Sequence, residues 1–241
     1  MRRRGWYHRV SALGRGAGGG FEAYIEVMGP DSAAFSDPDE GLRDRLADAT
    51  AANATFDGWT RTALDAAARG LGLPEGEADR LFPGGPLGLV EYVSDRADRR
   101  TVEAMEAAGV AGMKVRDRIR SAVRIRLEKH AGDRDSARRA LSLLALPLNA
   151  PLGLKLLYRT VDAMWYAAGD TSVDFNFYTK RATLAGVYSA TLLYWLNDRS
   201  EGGQATWDFL DRRLDDVMRI EKLKSQIRAW PGARTRAGGR R

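Results

Sequence analysis

Between Arg181 and Asp198 the chain runs for sixteen residues, ATLAGVYSATLLYWLN, without a charge. A membrane span wants about 20 predominantly apolar residues. This run is shorter and carries Thr, Ser and Tyr, so it is read as a helix buried on nearly all sides, or as one wall of an apolar cavity. A helix of that kind needs others to cover it, and the sequence supplies them. From about Asp39 onward the apolar spacing is helical throughout, with no alternating strand pattern. Helices are expected at about 39–53, 59–70, 75–81, 86–107, 112–131, 134–146, 151–168, 175–197 and 204–228. Gly58, Pro74, Pro83 to Pro86, Gly132, Pro147, Gly169 and Gly202-Gly203 punctuate them. The expected fold is an all-α bundle of about nine helices.

At 241 residues the chain can bury one substantial core. It has no cysteine, which removes disulfides, thiolate metal sites and a Cys nucleophile together. Of its two histidines, His8 and His130, neither has a partner at helical spacing, and no Glu-x-x-His pair is present for a di-iron site. With no nucleophile elbow or phosphate-binding loop either, no catalytic residue is assigned, and neither a metal nor a cofactor is expected.

The net charge of +6 divides unevenly: residues 1–20 carry +5 and residues 219–241 carry +7, which leaves the body mildly acidic at −6. Four regions are expected: a basic arm over 1–20, a helix-turn-helix-like trio over 39–85, a helical bundle over 86–218 and a basic amphipathic tail over 219–241. The arm contains Gly14, Gly16 and Gly19 in dinucleotide-fingerprint spacing, but no strand precedes them, so the match carries no weight. In the trio, the third helix offers Glu75, Glu77 and Asp79 against Arg80. A recognition helix needs basic or polar side chains for phosphates and base edges, so a scaffold that has lost DNA reading is expected, with no nucleic-acid partner.

Over 151–168, Lys155, Arg159 and Asp162 form one narrow polar stripe and apolar residues fill the remaining arc. Between this helix and the next, Gly169 suits a left-handed helix end, and Ser172 or Asp174 suits an N-cap. Phe175, Phe177 and Tyr178 crowd beside Arg181, which is the composition of an interaction hot spot. In the last helix, Trp207, Leu210, Leu214 and Val217 form one stripe. Ile220, Leu223, Ile227 and Trp230 form another, displaced by roughly 140° at about 100° per residue. Either the helix breaks near Arg219, or the second stripe, flanked by Lys222, Lys224 and Arg228, meets something other than the core, such as an anionic membrane surface.

The runs Thr160-Val-Asp-x-x-Trp165, Ala168-Gly-Asp170 and Asp174-Phe-Asn-x-Tyr-Thr179, followed by Thr206-Trp-Asp-Phe-Leu210, resemble the ubiquinone-biosynthesis lipid-binding accessory family over roughly residues 40–218. The resemblance implies a TetR-regulator-like all-α fold with a degenerate helix-turn-helix. It implies a non-enzymatic protein that binds an isoprenoid quinone intermediate or phospholipid and presents it to the demethoxyubiquinone hydroxylase. A homodimer and a membrane surface are implied as further partners. The implied partner-binding patch maps onto Asp162, Met164, Asp174, Phe177, Tyr178 and Arg181. Lipid-lining residues are expected at Leu157, Val161, Trp165, Leu184, Val187, Tyr188 and Leu192, and membrane contact at Ile220, Leu223, Ile227 and Trp230. The implied location is a bacterial cytoplasm at the inner-membrane surface or, alternatively, the matrix side of the mitochondrial inner membrane. A TetR-like ligand-sensing transcriptional regulator is the alternative function.

Overall fold

The computed structural model describes residues 39–128, 134–170 and 175–229. The chain divides into two compact units, Met1–Arg45 and Leu46–Arg241; in the first, the described residues belong to the start of one helix. Among the described residues there are nine α-helices: α1 Glu40–Asp57, α2 Arg61–Gly70, α3 Glu77–Leu81, α4 Gly85–Ala107, α5 Val115–Glu128, α6 Arg134–Leu144, α7 Ala150–Ala167, α8 Phe175–Asn197 and α9 Gln204–Ala229. No described helix is long and apolar enough to cross a membrane.

The helix boundaries depart from the sequence expectation at a few ends, each for a local reason. Helix α1 continues past residue 53 to Asp57, because the first residue that must leave helical geometry is Gly58, at φ 71°. Helix α5 starts three residues late, after Val110–Gly112 close a short 3₁₀ turn. Helix α6 stops at Leu144 and not at residue 146, since the residue before Pro147 is pushed out of the helical region.

Within the larger unit, α7 packs most extensively on α4 and also meets α8, α5 and α6, while α8 and α9 pair with each other. Val161, Met164, Leu184, Val187, Trp195, Trp207 and Leu210 come together in one core between these helices. The Trp207, Leu210 and Leu214 stripe of α9 is buried there as its spacing predicts. Helix α9 runs unbroken through Arg219 to Ala229, so of the two alternatives the break at that point is not the one the helix takes. The side chains of Ile220, Leu223 and Ile227, and all of Trp230, lie outside the described residues.

The expectation that α8 is buried on nearly all sides needs correction. Leu184, Val187, Tyr188, Thr191, Trp195 and Leu196 are buried, but Ala182, Gly186, Leu193 and Asn197 are exposed along one row of the helix. A 23-residue helix with partners on one side keeps an outer face whatever its charge.

Candidate functional site

The turn between α7 and α8 is built on Gly169, at φ 77°, where the chain adopts the left-handed conformation that ends a helix. The amide of Asp170 closes this end by donating to the Trp165 carbonyl at 3.0 Å. A Cβ at position 169 would fall 2.9 Å from Nη1 of Arg118, a side-chain tip that can move aside, so the left-handed backbone is what calls for glycine here. Ser172 and Asp174, the expected N-caps of α8, lie outside the described residues.

Arg181 organises what surrounds this turn. Its guanidinium is buried, donates from Nε to Asp162 at 2.6 Å and from Nη1 to Asp170 at 3.3 Å, and lies 3.3 Å from the centre of the Phe177 ring. The Asp170 carboxylate is buried as well and also receives Lys180 at 2.8 Å. Three chain segments are thereby tied by one cation. Asp170 thus receives both Lys180 and Arg181. Removing either partner of a buried pair strands the other charge, so the corner is geometrically fixed.

Above Arg181 stands Tyr178, 66% exposed, with its ring edge-to-face on Phe177 at 5.2 Å between centroids. Tyr158 on α7 is exposed beside them, and burial of its lower part next to Asp162 pushes its phenol up. The expected docking residues therefore split by depth. Asp162, Phe177 and Tyr178 reach the surface, whereas Arg181 lies beneath them and Asp174 is outside the described residues. Met164 is only 1% exposed and belongs to the core. It sits two residues from Asp162, about 200° round the helix, so the two cannot share a face.

The seven residues expected to line a lipid site converge. Val161, Leu184, Val187 and Tyr188 are buried members of the α5–α7–α8–α9 core, and Leu157, Trp165 and Leu192 pack against it at its margin. Two features of this region are polar. The Trp165 indole N–H is buried and has no hydrogen-bond partner among the described residues, while Lys180 lies over its ring at 5.5 Å. Deeper in, Arg126 donates to Asp98 at 2.8 Å and Thr160 donates to the same carboxylate at 2.9 Å. Burial pushes the Asp98 carboxyl up against the pull of Arg126 and Thr160, and burial likewise pushes up the Tyr188 phenol beside Arg126. This cluster was not expected. No spacing rule joins Asp98, Arg126, Thr160 and Tyr188, which come from four different helices.

Elsewhere on the surface, an open groove of about 680 Å³ runs along the α8–α9 junction, lined by Ala190, Leu193, Tyr194, Asn197, Asp198, Arg199, Ser200 and Ala205. Asp198 at its end caps α9, accepting from the Thr206 amide at 2.9 Å and from the Thr206 hydroxyl at 2.6 Å. In the helix-turn-helix-like trio, Arg61 donates to Asp65 at 3.0 Å and pairs with Asp79, and Arg80 pairs with Glu77. Among the described residues no group of three or more His, Asp or Glu is placed to hold a metal ion.

Comparison with known proteins gives a consistent result. A family model described as COQ9 matches residues 150–221, the segment that holds α7, the corner and α8. The ubiquinone biosynthesis protein COQ9, mitochondrial, of Drosophila melanogaster is 34% identical over 88% of this chain and 66% of its own length. The protein of the same name from Rattus norvegicus is 34% identical over 86% of this chain and 68% of its own. The COQ9-B protein of Xenopus laevis is 31% identical over 85% of this chain and 71% of its own. This chain thus spans about two thirds of the length of these relatives. Among solved structures, a TetR transcriptional regulator from Nitrosomonas europaea superposes with a TM-score of 0.61 at 24% identity, covering 73% of this chain and 97% of that one. At that identity the likeness concerns the fold.

Proposed function

The chain belongs to the COQ9 family of ubiquinone biosynthesis proteins, and from that premise we propose that it is a non-catalytic lipid-binding protein presenting an isoprenoid quinone intermediate to the hydroxylase that acts on it. The observation that carries the reading is Trp165. A buried N–H without an acceptor is costly, of order 1–3 kcal/mol. Here it sits at the margin of an apolar cluster next to an ordered docking corner. A ligand with a long apolar body and oxygen acceptors at one end would bury its chain among Leu157, Val161 and Leu192 and accept from that indole. An isoprenoid quinone precursor has this chemistry.

The corner supplies the second half of the proposal. Tyr178 offers an exposed ring and Phe177 a half-buried one, Asp162 a charge, and Arg181 the rigidity that keeps them presented. The partner we propose for it is the demethoxyubiquinone hydroxylase. A homodimer and attachment to a membrane surface complete the reading, and the mitochondrial names of the relatives favour the mitochondrial alternative for its location over a bacterial cytoplasm. The rival, a DNA-binding regulator, finds less support. Its reading helix would be the five-residue α3, whose one cation is paired with Glu77, while Arg61 is occupied by Asp65 and Asp79.

Native mass spectrometry and lipid extraction of the gently purified protein test the cargo. An isoprenoid or quinone should co-purify and should be depleted by Trp165→Phe, and recovery of no lipid at all would sink the claim. Tyr178→Ala tests the corner: hydroxylase co-purification should weaken while the melting temperature stays close to wild type. A large loss of stability would make Tyr178 a packing residue instead.

A further inference from the structure

From Ala140 to Leu154 the chain runs for fifteen residues, ALSLLALPLNAPLGL, again without a charge. The fold places this run across the end of α6, the turn and the first residues of α7. Leu148 is 93% exposed, Leu154 68% and Leu146 51%, with Pro147 and Pro151 exposed between them. Single exposed leucines are ordinary. Two from one turn and a third from the start of α7, with prolines between them, make an apolar patch that needs an explanation.

The turn is tightly built. The Asn149 side-chain amide donates inward to the Leu143 carbonyl at 2.9 Å, and the backbone amides of Asn149 and Ala150 both donate to the Leu146 carbonyl, at 2.8 and 2.9 Å. A Cβ at Gly153 would lie 3.4 Å from that of Leu144, so the two helices close tightly at their joined ends. The one polar side chain near the tip is thus spent inside the turn, and the leucines are left facing outward.

Charge says what kind of surface they face. From Ser136 to Val161 the sequence has no Asp or Glu, while Arg138, Arg139, Lys155 and Arg159 ring the base of the turn. Arg139 donates to the Thr55 carbonyl at 3.0 Å. Arg138 meets Asp135 at 2.6 Å, Lys155 meets Glu91 at 2.6 Å and Arg159 meets Glu91 at 3.4 Å. Arg138 also donates to the Leu196 carbonyl at 2.5 Å, and Arg159, largely buried, also meets Asp95 at 2.9 Å, so Arg159 stays with the fold. The Arg138–Asp135 and Lys155–Glu91 pairs are exposed, weak and readily exchanged. A convex apolar tip above a cationic collar matches an anionic bilayer, whose acyl boundary takes apolar side chains and whose phosphates meet Lys and Arg. A protein partner would be expected to find aromatic anchors, because leucine is under-represented among interface hot spots, and the tip has none.

We propose that the α6–α7 turn is a membrane wedge: Leu146, Leu148 and Leu154 enter the outer acyl layer of an anionic leaflet while Arg138, Arg139 and Lys155 meet its phosphates. The wedge rests on the membrane-attachment part of the reading above and gives it a site, and it is independent of the lipid cargo and of the tail beyond Arg219. It also gives α7 a second role, since at 1.5 Å per residue the helix carries Asp162 about 20 Å along its axis from the lipid-seated tip.

Because the chain has no native cysteine, Leu148→Cys gives a single site for an environment-sensitive dye. Mixed with phosphatidylcholine vesicles containing phosphatidylglycerol, the label should brighten and shift to the blue, and lipids brominated near the headgroup should quench it. The same label at Met113→Cys, an exposed apolar residue in the α4–α5 connection, should not respond. The double variant Leu146→Ser/Leu148→Ser should bind these vesicles at least about tenfold more weakly, with unchanged melting temperature and unchanged co-purified lipid. The dye at position 148 should respond equally when Leu223 is replaced by Ser. A silent label on vesicles, or vesicle binding by the double variant equal to wild type, would overturn the wedge. So would loss of hydroxylase binding without lipid while vesicle binding stays intact, since that would make the turn a protein-docking surface.

Discussion

Helix α8 and the α6–α7 turn hold the two longest charge-free stretches of the chain, residues 182–197 and 140–154, and the fold uses them in opposite ways. In α8 the bulky residues Leu184, Val187, Tyr188, Thr191 and Trp195 recur at three- and four-residue steps, so they stack on one face and enter the core together. In the turn, Pro147 breaks the period between Leu146 and Leu148, and no single helical face can collect them. What decides whether an uncharged run is buried is whether its large side chains keep one period long enough to share a face. Lack of charge alone does not.

The sharpest way to break this comparison is Trp195→Ala. Trp195 is fully buried on the inner face of α8, with Arg134 over its ring at 4.9 Å, so its truncation should cost about 3–5 kcal/mol in denaturant unfolding. A cost below about 1 kcal/mol would mean that this face is not core. Next comes Asp98→Ala, which strands Arg126 inside the same bundle and should cost about 3 kcal/mol.

Asp198, which ends the α8 run, is a smaller lever with a pH signature. Burial alone would push its carboxyl up, but hydrogen bonds from Thr206 and Ser200 prevail and hold it down at about 2. A carboxyl whose folded value lies below the unfolded one, near 4, contributes stability that is fully present above that unfolded value and is lost as pH falls through about 2. Asp198→Asn should therefore destabilise by about 1 kcal/mol at neutral pH, and thermal melts at decreasing pH should show the two proteins converging between pH 4 and 2. The smallest effect belongs to the turn. Leu148→Ala should change stability by no more than about 0.5 kcal/mol, and a larger loss by calorimetry would show that the exposed leucines pack after all.

Much of this was legible in the residues. The nine helices follow from apolar spacing with Gly and Pro breaks, and the left-handed Gly169 was readable from its place between two helical patterns. The motif runs from Thr160 to Thr179 carried the family. The corner was legible only in part: Arg181 was correctly grouped with Asp162 and Phe177, but its place beneath Tyr178 was not, because depth depends on how three segments meet. Met164 was assigned to the docking patch because it sits inside the motif, although helical geometry turns it inward. The Asp98–Arg126–Thr160–Tyr188 cluster had no local signal at all, since its members lie far apart in sequence.

The sequence by itself determined what is local: which stretches are helical, to within a few residues at their ends, and which motifs mark the COQ9 family. Periodicity and turn chemistry act over a few residues and need no partner to be read. Only the tertiary structure decided which face of α8 is covered, that Arg181 anchors the corner from below, and that the leucines of residues 140–154 are left in the open. Those outcomes depend on which helix packs on which, and hydrophobicity has no direction until another surface is there to meet it.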